Sequence, residues 1–341
     1  MTNVVGWDIG GVNTKAALIP LQGEAPPRCA CLPHAVQREP GALPGVVIAA
    51  LEAVRGSRED QHAITMTAEL SQAFRTKREG VSYILDALEA ALPPERLFVY
   101  TVHDQFLRPR EARTKHLAVA ASNWAATAHW IAGTVPTCIL IDIGTTSTDL
   151  IPIVDGKVAA EGLTDPERLL SGELVYSGAL RTPAEAVSAQ VPLWGGTSSV
   201  SADGFALIGD AHLWLGNLTE SEYTCPAPDG RAANRRFAGE RLARMVCADR
   251  DMLDDPAIDG IATALAGAQV QTLAAALQRI RQRWPSIRLA VVTGLGDFIG
   301  TKAADTVGLE VLPLEDRLGP AARVAPAFAV AGLLRNWLNH R

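Results

Sequence analysis

Apolar residues fall along this chain into short β-branched runs and longer helical stripes, and two of the runs are built alike. Val4-Val5-Gly6-Trp7-Asp8-Ile9 leads into the polar turn Gly10-Gly11-Val12-Asn13-Thr14-Lys15, and Ala16-Ala17-Leu18-Ile19 leaves it. Ile139-Leu140-Ile141-Asp142-Ile143 leads in the same way into Gly144-Thr145-Thr146-Ser147, followed by Leu150-Ile151-Pro152-Ile153. Each reads as a buried hairpin, since β-branched residues fit a packed pleated surface and glycine opens the turn.

Between and after the hairpins the pattern alternates strand and helix. A Pro-rich link, 25–44, precedes a helical stripe of Leu43, Val47, Leu51 and Val54. Ala63–Thr67 reads as a strand ending at Ala68-Glu69-Leu70, and Val81, Ile84, Leu85, Leu88 and Leu92 mark a helix stopped by Pro93-Pro94. Leu97–Val102 reads as a strand, followed by His103-Asp104 in a loop and one alanine-rich helix over 115–132. Asp155-Gly156 predicts a turn into a strand at 157–160, and 161–255 is the least regular part. Ile258, Ile261, Leu265, Leu273, Leu277 and Ile280 predict a long helix, Leu289–Val292 a strand with a Gly294-Leu295-Gly296 turn, and Val330, Leu333, Leu334 and Trp337 a final helix.

Composition adds limits. At 341 residues two domains are expected, and 48% apolar with 20% charged residues describes a globular chain. A net charge of −6 gives no electrostatic case for nucleic acid. Asp8 interrupts the first apolar run and no basic segment precedes it, which speaks against a signal peptide; no stretch reads as a membrane span, so a cytoplasmic location is expected. The five cysteines, 29, 31, 138, 225 and 247, are expected as reduced thiols, with no zinc spacing to complete Cys29 and Cys31.

The chemistry lies in the turns. Glycines and hydroxyls present backbone N–H groups and oxygens with little cover, which suits phosphate, and a carboxylate entering each turn tolerates phosphate when Mg²⁺ lies between. Asp8 and Asp142 are therefore candidate metal ligands, though tight polar turns between core strands would look the same. Glu69, just past a strand end, is either a ligand group or a solvated loop acid. Arg181, set between a glycine and a proline, is a candidate anion ligand, whereas Arg231, Arg235, Arg236, Arg241 and Arg244 read as a solvated face. Gly294-Leu295-Gly296 is a weak dinucleotide signal, because Gly300 falls one residue late.

The order of two Asp-Ile-Gly hairpins, a helix before the second, a late Gly-Leu-Gly-Asp turn and a final helix resembles the actin, sugar kinase and heat-shock ATPase superfamily. That resemblance implies an α/β fold of two ribonuclease-H-like domains around an interdomain cleft. The first would span 1–132 with a C-terminal helix at 321–341, the second 133–320 with an insertion at about 161–255. It also implies Mg²⁺ and a diphosphate held by Asp8, Gly10, Gly11, Asn13, Thr14, Asp142, Gly144, Thr145 and Thr146, with Gly294 and Gly296 from the late turn.

A closer resemblance rests on Asp8–Lys15, Thr65–Leu70, Tyr176–Pro183 and Met245–Asp249. These stretches resemble a branch of the hydantoinase/oxoprolinase relatives linked to the tetrahydromethanopterin one-carbon pathway, whose archaeal members make a methanofuran precursor. The resemblance implies transfer of an aminomethylfuran-methyl group from its diphosphate to the phenol of a γ-glutamyltyramine-type acceptor, with release of diphosphate. Lys15 and Arg181 would face the diphosphate, and Glu69 would serve as general base. Lys15 suits this branch better than the amide hydrolases, whose relatives tend to carry an acid there. An ATP-dependent kinase or hydrolase on the same cradle is the alternative, and a non-catalytic nucleotide sensor a third class. The partners expected are the diphosphate and the phenolic amine; a homodimer stays open.

Overall fold

The computed structural model of the protein describes residues 3–340, and the two hairpins found in the sequence form the middle of two sheets. Strand β1 (Asn3–Ile9) is buried along nearly its whole length, as a central strand covered on both faces must be. It runs antiparallel to β2 (Asn13–Pro20) with Asp8 opposite Lys15, and parallel to β4 (Gln61–Met66) with Ile9 opposite Met66. The link at 25–44 is not all loop: β3 (Arg28–Pro33) pairs with β2, setting Cys31 opposite Lys15. Its half-exposed edge position explains the weak apolar signal. With β5 (Leu97–Tyr100) and β6 (Phe106–Leu107) the order is β3-β2-β1-β4-β5-β6.

The second sheet repeats the plan. Strands β7 (Cys138–Ile143) and β8 (Thr148–Val154) carry the second hairpin, with β9 (Lys157–Val158) pairing β8. With β10 (Leu174–Val175), β13 (Leu289–Gly294) and β14 (Glu310–Pro313) the order is β10-β8-β7-β13-β14. A third strand on one flank of a hairpin and two later strands on the other is the ribonuclease-H-like order, present twice, with β6 added at the edge of the first sheet. Between β10 and β13, β11 (Gln190–Leu193) and β12 (Gly196–Ser199) make a separate hairpin turned by Trp194-Gly195.

The helices longer than six residues, in chain order, are α1 (Leu43–Ala53), α2 (Lys77–Ala91), α3 (Asn123–Ala132), α4 (Asp165–Ser171), α5 (Ile208–Trp214), α6 (Arg235–Arg244), α7 (Asp255–Arg283), α8 (Asp297–Thr306) and α9 (Ala325–Asn339). The single helix expected over 115–132 is broken. Short turns at Pro109–Thr114 and His116–Val119 precede α3, Ala121 sits at φ 49°, and Ala120 bridges Met66 at the end of β4. That backbone pairing draws Ala120 out of the helix. The irregular middle holds α4 to α6 and a single helical turn at Ala184–Val187, all too short to be read without their tertiary partners.

Two compact units result. One takes in the described residues through Leu140, Ile151–Ser171 and those from Pro313 onward; the other is Ile141–Leu150 with Gly172–Leu312. In the first, β1 meets α9 at backbone distance: a Cβ on Gly6 would lie 1.9 Å from the Ala327 carbonyl oxygen. In the second, α7 corrects the sequence reading of spans, because by length and composition alone it is apolar enough to cross a membrane. Its residues Ile258, Ile261, Leu265, Leu273, Leu277 and Ile280 are buried in the protein.

The arginine-rich stretch is also corrected. Arg231, Arg235, Arg236 and Arg244 reach solvent, but Arg241 is fully buried. Its guanidinium lies 2.7 Å from Asp210 Oδ1 and 3.1 Å from Asp229 Oδ1, and Tyr223 donates its hydroxyl to the same Asp210 oxygen. A buried charge is tolerated only with such partners.

Candidate active site

In the first unit the site forms at the carboxyl end of β1. Asp8 is buried, and Lys15, its cross-strand partner, places Nζ 3.4 Å from Asp8 Oδ2. Asp8 Oδ1, Asn13 Oδ1 and Thr14 Oγ1 are buried without a hydrogen-bond partner. Buried polar atoms are ordinarily satisfied, so three such oxygens around one turn make it a candidate ligand site. All are hard oxygen donors, which fits Mg²⁺. The Gly10 amide donates to the Asn13 carbonyl at 3.0 Å, and a Cβ on Gly10 would fall 2.7 Å from that oxygen, so the turn needs glycine there. Gly11, by contrast, faces open space. The Val12 and Gly11 carbonyls accept from the His34 and Val36 amides and hold the loop in shape.

Glu69 stands beside this turn. The Thr67 amide donates to the Ile9 carbonyl at 2.9 Å, bringing the 68–70 turn next to the end of β1. Glu69 is 1% exposed, so the solvated-acid alternative is excluded. Helix α2 covers it closely, since a Cβ on Gly80 would lie 2.3 Å from the Glu69 carbonyl oxygen. Lys77 Nζ is 3.6 Å from Glu69 Oε1, an ion pair beyond hydrogen-bond length, and neither carboxyl oxygen has a hydrogen-bond partner. Burial pushes the carboxyl up to about 7, with Lys77 pulling it down and Asp165 pushing it up.

In the second unit Asp142 closes β7 against the late glycine turn. Gly294 has φ 97°, and a Cβ there would lie 2.3 Å from the Ile143 carbonyl oxygen and 2.7 Å from Asp142 Oδ1. The Gly296 amide donates to the same Ile143 carbonyl at 3.0 Å. The Gly144 amide donates to the Ser147 carbonyl, and the Thr145 and Thr146 hydroxyls lie 3.4 Å apart. Segment 177–181 is laid along this turn: the Ala179 amide donates to the Gly144 carbonyl, and the Leu180 and Arg181 amides to that of Thr145. Arg181 thus joins the turn through its backbone, with its side chain exposed.

Sequence reasoning missed what holds that segment. Gly178 fits because a Cβ would lie 2.5 Å from the Thr146 nitrogen. Gln269 of α7, buried, donates to Ser177 Oγ at 2.9 Å and to the Gly178 carbonyl at 2.8 Å, while its own carbonyl oxygen meets His212 Nε2 at 2.8 Å. A glutamine on the apolar stripe of a long helix, four residues after Leu265, was the available signal. The structure therefore gathers Asp8, Gly10, Gly11, Asn13, Thr14 and Lys15 with Glu69 in the first unit. In the second it gathers Asp142, Gly144, Thr145, Thr146, Arg181, Gly294 and Gly296. Among the described residues no three His, Cys, Asp or Glu side chains cluster as a metal site, and Cys29 and Cys31 stay free thiols of β3.

Comparison with known proteins follows the same outline. The model of the hydantoinase/oxoprolinase family matches residues 60–336. The chain is 37% identical over 282 residues to the (4-{4-[2-(gamma-L-glutamylamino)ethyl]phenoxymethyl}furan-2-yl)methanamine synthase of Methanocaldococcus jannaschii, covering 82% of this chain and 84% of that one. It is 34% identical over 207 residues to the protein of the same name from Methanococcus vannielii, covering 59% of this chain and 92% of that one. Among solved structures, nucleotide-free acetone carboxylase matches with a TM-score of 0.57 at 12% identity, over 96% of this chain and 70% of that one, which shows a shared fold. The chain belongs to the hydantoinase/oxoprolinase family.

Proposed function

We propose that the protein is a transferase of methanofuran-type cofactor biosynthesis, joining an aminomethylfuran-methyl diphosphate to the phenol of a tyramine-type acceptor and releasing diphosphate. Its similarity to two synthases of that name supports the reading. The observation that carries it is the pairing, in one unit, of an oxygen-lined turn bearing Asp8 and Lys15 with a buried, desolvated carboxylate at Glu69.

In the reaction the bond from the furan-bound CH₂ to the diphosphate oxygen breaks, and its electron pair leaves on diphosphate. Lys15 and the turn amides meet that developing charge. Mg²⁺, held by Asp8, would supply further charge neutralisation. The phenolic oxygen forms the new bond to the CH₂ carbon, and Glu69 takes its proton. A carboxyl near 7 suits this task better than an ordinary glutamate, because about half of it is ionised at neutral pH and that carboxylate is more basic. The reading places the enzyme in the alkyl-transferring class EC 2.5.1, in the cytoplasm, with small-molecule substrates and a homodimer as its assembly.

Purified protein with Mg²⁺, the furan diphosphate and tyramine or γ-glutamyltyramine should form ether and diphosphate in equal amounts without nucleotide. Ether that strictly requires ATP, with ADP in step, would overturn this and favour an ATP-dependent kinase or hydrolase.

A further inference from the structure

Glu69 is not alone behind the first turn. Lys77, the first residue of α2, places its ammonium 3.6 Å from Glu69 and 2.6 Å from Asp165 Oδ2. Asp165, the first residue of α4, accepts with its other oxygen from Arg168 Nη2 at 3.0 Å. Arg168 is itself buried and lies over the Trp124 ring, 4.6 Å from its centroid. A row runs from Trp124 through Arg168, Asp165 and Lys77 to Glu69. The charged groups reaching Glu69 come from two helices, Lys77 of α2 and Asp165 of α4, whereas Arg78 of α2 acts on His116.

The lengths are unequal in an instructive way. Asp165 holds Lys77 at hydrogen-bond distance, while Glu69, more deeply buried, has the same ammonium beyond that distance and, among the described residues, no other cation paired with it. A lysine drawn fully onto Glu69 would quench its basicity; one withdrawn would leave the desolvated carboxyl protonated. Shared between the two, it holds Glu69 between those limits.

We propose that Lys77 is a positioning residue, anchored by Asp165 and through it by Arg168, that sets the protonation of Glu69. Glu69 as base rests on the proposed function; the control of Glu69 by Lys77 and Asp165 does not.

The two substitutions should act in opposite directions. Lys77→Met removes the cation, so Glu69 takes its proton at higher pH. Asp165→Asn keeps an acceptor for Lys77 but removes the opposing negative charge, so Glu69 takes its proton at lower pH. Shifts of about 1–3 pH units are expected for charges this near. The infrared C=O band of protonated Glu69, identified by its loss in Glu69→Gln, reads this in the full-length protein without substrate. Lys77→Arg, which keeps the charge, should titrate as wild type. Shifts of the same sign in Lys77→Met and Asp165→Asn, or none, overturn the proposal. If the infrared shifts appear but the acid limb of kcat/KM for ether formation does not follow them, the control of Glu69 stands and its role as base falls.

Discussion

At the scale of the residue, the two oxygens of Asp8 differ: Oδ2 is paired with Lys15, and Oδ1 is buried without a hydrogen-bond partner among the described residues. Asp8→Asn should abolish turnover, as should Asp142→Asn, while denaturant unfolding stays a single cooperative transition. Lys15→Ala should weaken inhibition by free diphosphate at least about tenfold, since a charged hydrogen bond is worth about 1.5–3 kcal/mol. Unchanged inhibition constants in both Lys15→Ala and Arg181→Ala would remove these residues from the diphosphate. Glu69→Gln should cost about 10²–10⁴ in kcat, the usual share of a general base. Asp8 and Asp142 were legible in the sequence because a carboxylate at a strand end before a glycine turn is a local pattern, and Glu69 because it falls just past a strand end. The burial of Glu69 and of Arg241 was not, because it depends on Gly80 of α2 and on Asp210 and Asp229, which no local spacing announces.

At the scale of the element, glycines set how closely strands, turns and helices approach. Gly178→Ala would drive a methyl group into the Thr146 nitrogen, so it should loosen the second turn and weaken diphosphate binding, read by calorimetric titration. Gly6→Ala would force β1 away from α9 and should destabilise the protein by about 3 kcal/mol or more, read from urea unfolding. A Gly6→Ala midpoint equal to wild type would mean that this packing gives way without cost. The strands most easily read, β1, β2, β7 and β8, are those buried along most of their length, where the apolar run is continuous. Strands β3 and β14 escaped because edge positions leave residues half-exposed and blur the pattern. The helix over 115–132 was overread because alanine favours helix locally, while the bridge from Ala120 to Met66 is a long-range event.

At the scale of the whole molecule, buried ionisable groups make stability depend on pH. Burial holds His62 and His212 down at about 4, so both stay neutral in the fold and regain an ordinary imidazole near 6.5 on unfolding. The unfolded chain then binds more protons, and stability present above about 6.5 is lost as pH falls toward 4, by up to about 3 kcal/mol per histidine. Glu69 opposes this: with its carboxyl pushed up to about 7, the folded chain takes that proton first and gains stability as pH falls to about 4.5. Glu69→Gln removes the gain, so its urea midpoint should fall more steeply than wild type between about pH 7 and 4.5. A slope no steeper than wild type would contradict the burial of that charge. The close meeting of Gly6 with Ala327 also has a consequence for synthesis. At about 5–20 residues per second, α9 leaves the ribosome on the order of 15–60 seconds after β1. The first unit, begun earliest, is therefore completed last, and the nested second unit can finish folding while the face of β1 still awaits its cover. Ribosome-bound chains stalled before α9 should show protease resistance over 172–312 ahead of 3–140, reversing the usual amino-to-carboxyl order of domain completion.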